Sequence, residues 1–180
     1  MGALGAALGT MVANLSSHKA GWDDRCREFA VWADKGQMLI SELLHLVDED
    51  TEAFNRIMAA FGMPKKTEEE KALRSKAIQD ATLYAAQVPL RTMKASFAAF
   101  EICRAMAETG NPNSVSDAGV GALAARAAVL GAGLNVKINA SSLKDRAVAD
   151  ALVNEAEQLM TKADAEEKAI LEVVESVIKA

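Results

Sequence analysis

Apolar and polar positions follow the period of an α-helix along most of this chain, and no run holds the period of two that marks a half-buried strand. The clearest run is Leu43, Val47, Asp50, Phe54, Ile57 and Phe61, which lines one helical face. It predicts a helix from about Gly21 to Phe61, anchored early by Trp22, Phe29 and Trp32 and ended by Gly62-Met-Pro64. Ahead of it, a helix from about Gly2 to Ser16 carries a stripe of small residues: Gly2, Gly5, Ala6, Gly9 and Ala13. Such a stripe lets another backbone approach closely, from a packed helix or from a ligand. Thr67 and Glu70 form a capping box, and Glu68, Glu69 and Glu70 suit the positive end of the helix that follows. That helix runs through Ile78 and Tyr84 to Pro89, which either kinks one long helix or starts a new one; Met93, Phe97 and Phe100 share a face beyond it. Gly110-Asn-Pro-Asn113 is a turn, and Ser114-Val-Ser-Asp117 offers caps for a helix from Ala118 to about Gly133. This helix is small and apolar all round except for Arg126, so most of its sides are expected to be buried. Asn135-Val-Lys-Ile-Asn139 is ambiguous; as helix, it puts Asn135 and Asn139 on one face. After a loop at Ala140-Ser-Ser-Leu143, a charged helix from about Lys144 to Ile178, with a break allowed near Lys162, carries the stripe Leu152, Ala156, Leu159, Met160, Ala163, Ala169, Ile170 and Val173.

The pattern therefore predicts an all-α fold, a single-domain bundle of five to seven long helices over residues 1–180. Composition agrees: alanine and methionine are abundant, and aromatics make up only 4%. A net charge of -5 argues against a nucleic-acid partner, which would demand a basic face. Cys26 and Cys103 are too far apart for a CxxC and read as reduced, buried thiols of a cytoplasmic protein; with His18 and His45 the only histidines, no metal site is expected. The apolar N-terminus lacks the basic flank of a signal peptide and is interrupted by Asn14, Ser16 and Ser17, so it reads as a buried helix, and no membrane-spanning segment is expected. Its glycines do not form GxGxxG and no strand precedes them, which excludes a dinucleotide loop. The two small, apolar helices call for more burial than one chain of this size supplies, and a homodimer is expected.

Asp50 is the unusual residue. An ionised carboxylate in an apolar stripe costs several kcal/mol unless it is paired or protonated. It is either a functional group or a structural acid satisfied by a cation or helix end. Its neighbours Asp48, Glu49 and Glu52 fall on other faces and can reach water.

Four segments taken together resemble one family. They are Gly2-Ala-Leu-Gly-Ala-Ala-Leu-Gly-Thr-Met-Val12; Leu46-Val-Asp-Glu-Asp-Thr-Glu-Ala-Phe54 with Phe61-Gly-Met-Pro-Lys-Lys-Thr-Glu-Glu-Glu-Lys71; Gly110-Asn-Pro-Asn-Ser-Val-Ser-Asp-Ala-Gly-Val120; and Asn135-Val-Lys-Ile-Asn139. In order and spacing they resemble the cyclodeaminase/cyclohydrolase family of folate enzymes, which includes the C-terminal domain of formiminotransferase-cyclodeaminase and stand-alone methenyltetrahydrofolate cyclohydrolases. The resemblance implies an all-helical dimer whose catalytic aspartate is Asp50. One feature departs from the pattern: the family's Pro-Gly-Gly-Gly-Ser loop, expected ahead of the first motif, is absent, as in a chain truncated at its N-terminus.

The resemblance also implies a site role for Asp117, binding a pterin or steadying a cationic intermediate; as a residue it is equally an ordinary first-turn carboxylate. Ser116 reads as a cap or a site residue, and Asn135 and Asn139 as helix-end partners or as hydrogen-bonders to a flat heterocycle. Lys137, Arg126 and Arg91 are candidates for a folate carboxylate. The implied substrate is a tetrahydrofolate carrying a one-carbon group. The first reading is 5-formimidoyltetrahydrofolate closing to 5,10-methenyltetrahydrofolate with loss of ammonia. The alternatives are methenyltetrahydrofolate cyclohydrolase chemistry at the same site, or a non-catalytic folate-binding or dimerisation module, paired with a formiminotransferase.

Overall fold

The computed structural model describes all residues, 1–180. It contains five α-helices and no strand: α1 (Gly2–Ser17), α2 (Cys26–Gly62), α3 (Glu68–Thr109), α4 (Val115–Ser141) and α5 (Arg146–Lys179), with single 3-10 turns at Asp23–Arg25 and Pro112–Ser114. The all-α expectation holds. α1 packs on α2, α3 and α4, and α3 touches every other helix.

The small-residue stripe of α1 serves helix packing. A Cβ on Gly5 would stand 2.8 Å from the carbonyl oxygen of Gly121 and 3.0 Å from the nitrogen of Ala125. Gly9 presses on Ile102 and Cys103 of α3 in the same way. Cys103 is buried against this crossing, and burial pushes its thiol up to about 12. Cys26, also expected to be buried, is exposed at the start of α2.

Thr67 caps α3 as its sequence demands: its Oγ1 accepts from Glu70 N at 3.1 Å, and Glu70 Oε2 accepts from Thr67 N at 3.2 Å. α3 then runs uninterrupted through Pro89. Proline has no N–H to give the carbonyl four residues back, which is Ala85. Asn139 Nδ2 on α4 donates to that oxygen at 2.7 Å. A side chain from another helix thus replaces the missing backbone donor.

α4 begins three residues earlier than its capping serines suggested and continues through the ambiguous Asn135–Asn139 stretch. Segment Pro112–Ser141 is long and apolar enough to cross a membrane by length and composition, which the sequence reading did not anticipate; half of its most apolar window is buried within the bundle. α5 is capped by Asp145, whose Oδ1 accepts from Val148 N at 3.1 Å. Its buried seam is Ala149, Ala156, Ala163 and Ile170, one residue per heptad, joined by Val174. Ion pairs flank the seam: Lys94–Glu155 at 2.6 Å, Lys137–Glu157 at 2.9 Å, Arg126–Asp164 at 2.6 Å and Arg104–Glu166 at 2.5 Å.

Candidate active site

Helix α2 presents two apolar lines. The one it buries is Leu39, Leu43, Leu46, Ala53 and Ala60. The stripe that contains Asp50 shares only Leu43 with this line. Val47 and Phe54 are each 61% exposed and Phe61 is 51% exposed. Asp50 itself is exposed. The expectation that it is buried in oil within one chain is therefore corrected: the stripe is helical and apolar, but it looks outward. Periodicity reports which residues share a face, and it leaves open which face turns to the core.

Asp50 nevertheless stands at a cleft of ≈340 Å³. α2 contributes Leu43, Leu46, Val47, Asp50 and Thr51; α3 contributes Pro89 and Thr92; α4 contributes Ala128, Ala132 and Asn135; Met1 and Gly2 close one end. Asp50 is the one carboxylate in this lining, and Asn135 the one carboxamide. An acceptor and a donor–acceptor group thus share a cleft with apolar walls. That arrangement suits a flat, polar-edged molecule needing a proton acceptor near one end.

The acid that does reach inward is Glu49, which sequence reasoning placed in water. Its carboxylate accepts from both terminal nitrogens of Arg91 on α3, with Tyr84 Oη at 3.4 Å and His45 Nε2 at 3.2 Å. Arg91 holds the Glu49 carboxyl below the usual carboxylate range. The i, i+4 spacing of His45 and Glu49 was visible in the sequence; the contact with Arg91, 42 positions away, was not. This tie fixes α2 against α3 one residue before Asp50.

The remaining candidates divide. Asn135 lines the cleft, and Asn139, one turn on, is engaged by Ala85 O. Asp117 is half-buried in the first turn of α4 and Ser116 beside it is exposed. Both lie at the far end of α4 from Asn135, about 27 Å away at ~1.5 Å per residue. Within one chain they do not meet Asp50. Lys137, Arg126 and Arg91, offered for a folate carboxylate, are each held by acids: Glu157, Asp164 with Glu167, and Glu49. None of the three lines the cleft.

Residues 1–158 match the model of the formiminotransferase-cyclodeaminase family. The chain is 39% identical over 98% of its length to a methenyltetrahydrofolate cyclohydrolase of Methylorubrum extorquens, of which it covers 85%. It is 32% identical over 79% of its length to the formimidoyltransferase-cyclodeaminase of Rattus norvegicus, but spans only 26% of that longer protein. In structure it is similar to the formiminotetrahydrofolate cyclodeaminase of Thermotoga maritima, with a TM-score of 0.83, 26% identity, and coverage of 98% of this chain and 84% of that one. A family model matched over residues 1–158 and relatives spanning nearly the whole sequence lead to one conclusion: the chain belongs to the formiminotransferase-cyclodeaminase family.

Proposed function

We propose that this chain acts on a one-carbon unit bridging two nitrogens of tetrahydrofolate, hydrolysing 5,10-methenyltetrahydrofolate to 10-formyltetrahydrofolate in the cleft beside Asp50. The observation that carries the site is Asp50, the sole carboxylate in the lining of this cleft. The hydrolytic reading draws on the similarity to the Methylorubrum cyclohydrolase, which extends over nearly the full length of both chains.

The chemistry asks little of the protein beyond position and a proton carrier. The substrate carbon belongs to a cationic amidinium, which a nearby carboxylate stabilises. Water adds to that carbon as Asp50 accepts one of its protons, giving a tetrahedral carbon bonded to N5, N10 and a hydroxyl. The C–N5 bond then breaks, N5 takes the proton back from Asp50, and the hydroxyl releases its own proton to water as its oxygen becomes the formyl oxygen. Asn135 can hydrogen-bond the pterin edge or the developing hydroxyl. A positioned acid/base group contributes roughly 10²–10⁴ in rate, and alignment contributes by proximity.

A second reading is favoured by the Thermotoga and rat relatives, whose names are cyclodeaminases. At the same carbon, N10 of 5-formimidoyltetrahydrofolate attacks, Asp50 carries the N10 proton to the exocyclic nitrogen, and ammonia leaves. A formiminotransferase is then the partner that supplies the substrate. Following the methenyl chromophore separates the two: decay on mixing the chain with methenyltetrahydrofolate supports the hydrolase, and growth from the formimidoyl compound supports the deaminase. Neither change above the background rate would remove the proposal.

Large apolar side chains also stand exposed along α2 and α4. Val47, Phe54, Met58 and Phe61 stand exposed on α2, and Val120, Leu123, Leu134 and Ile138 on α4. An apolar surface of this extent marks an interface. We propose a second copy as its occupant, which would also dry the approach to Asp50.

A further inference from the structure

At the end of α3 remote from Asp50 lies a second cleft, of ≈430 Å³, between the α2–α3 turn and the α4–α5 turn. Its charged lining is entirely positive: Lys65, Lys71, Arg74 and Lys144, with Ser75 and Gln79 among them. In a chain of net charge -5 this is a local reversal of sign. Of the nearby acids, one pairs with a lysine of the lining and two are engaged outside it. Glu68 holds Lys71 at 2.7 Å, Asp80 holds Lys76 at 3.3 Å, and Asp145 caps α5. Lys65, Arg74 and Lys144 have no carboxylate partner.

The cations are also held in place. Lys144 Nζ donates to Ser75 Oγ at 2.7 Å, and its backbone N donates to Gln79 Oε1 at 2.7 Å. Gln79 Nε2 returns a bond to Ser142 O at 3.3 Å, clasping the α4–α5 turn onto α3. On the other side, Arg74 Nη2 donates to Phe61 O at 3.1 Å, and the guanidinium lies over the Phe61 ring. An ammonium has three donors and a guanidinium five, so both keep spare N–H groups. Bringing these like charges together is unfavourable until an anion joins them.

We propose that this cleft binds a small polyvalent oxyanion, phosphoryl or polycarboxylate in nature, held chiefly by Arg74 and Lys144 and drawn in by Lys65. The site is separate from the Asp50 cleft: Gln79 and Pro89, which line the two, are about 15 Å apart along α3 at ~1.5 Å per residue.

Calorimetric titration of the full chain with pyrophosphate, with citrate, and with sodium chloride at matched ionic strength tests this. Saturable one-to-one binding of pyrophosphate or citrate but not chloride is expected, and the tighter of the two assigns the chemical class. Lys144→Met and Arg74→Gln should each weaken it by about tenfold, the worth of one charge-assisted contact. Because Arg74 also braces a turn, Lys65→Gln provides a variant that breaks no hydrogen bond, and it should weaken binding with an unchanged melting temperature. Absence of saturation by either anion, or equal binding in all three variants, overturns the proposal.

Discussion

Where α1 crosses α4, the apolar residues are glycine and alanine, and the two backbones come close enough for Gly5 to meet the main chain of Gly121 and Ala125. On the outer half of α2 they are Val47, Phe54, Met58 and Phe61, all more than half exposed. The region with the smaller side chains is the more deeply buried. Little apolar area per residue is offset by close approach, which surrounds α1 with three helices. α2 enters the core through a different line, Leu39, Leu43, Leu46, Ala53 and Ala60. Two apolar faces thus meet different fates, one buried against neighbouring helices and one left outward on α2.

The sharpest way to separate the two regions is chemical. Asp50→Asn should lower turnover about 10²–10⁴-fold with little change in melting temperature, since the side chain is exposed in the chain and makes no fold-holding contact. Equal activity in the variant removes Asp50 from the mechanism and leaves the outer face of α2 as an interface alone.

At the crossing, the effect should be on stability. Gly5→Val puts atoms where Gly121 and Ala125 stand, and should cost about 3 kcal/mol, or roughly 6–12 °C in melting temperature for a chain of this size. Gly131 lies on the same helix α4 with nothing within 4 Å of an added Cβ, and Gly131→Ala should instead raise stability by about 0.4–1 kcal/mol. A gain at Gly5 like that at Gly131 would show that close approach does not require the glycine there.

Phe54→Glu should leave the fold intact and shift the light-scattering mass from twice 19.1 kDa to that of one chain. A buried aromatic anchor at an interface is worth about 2 kcal/mol or more. A mass unchanged by this substitution, or a parent already monomeric at micromolar concentration, ends the dimer proposal.

The smallest effect belongs to the tie between α2 and α3. Arg91 lowers the Glu49 carboxyl, so the folded state favours the ionised form. The contribution is complete at neutral pH and is lost as pH falls through the lowered value, below the usual carboxylate range. The melting-temperature gap between the parent and Glu49→Gln should therefore close on acidification; a gap that persists in acid would make Glu49 a packing residue.

Much of the local structure was legible in the sequence. The Thr67–Glu70 capping box, the Gly62-Met-Pro64 stop and the Gly110–Asn113 turn are chemistry between residues a few positions apart, and each appears where its residues require. The fate of Pro89 was not legible, because the carbonyl it leaves without a backbone donor is satisfied by Asn139, 54 positions away. The cations Lys137, Arg126 and Arg91 were visible as charges, but their acids are chosen by helix packing.

The sequence by itself determined the helices, the ends that carry a cap or a stop, and the presence of one aspartate on an apolar face, since these depend on periodicity and on capping within a turn or two. Only the tertiary structure decided that this face looks outward, that Asp50 and Asn135 share a cleft, and that Glu49 rather than Asp50 is the acid tied to α3. Rotation of a helix about its axis is set by which side chains its neighbours can accommodate, and those neighbours are brought together by the fold.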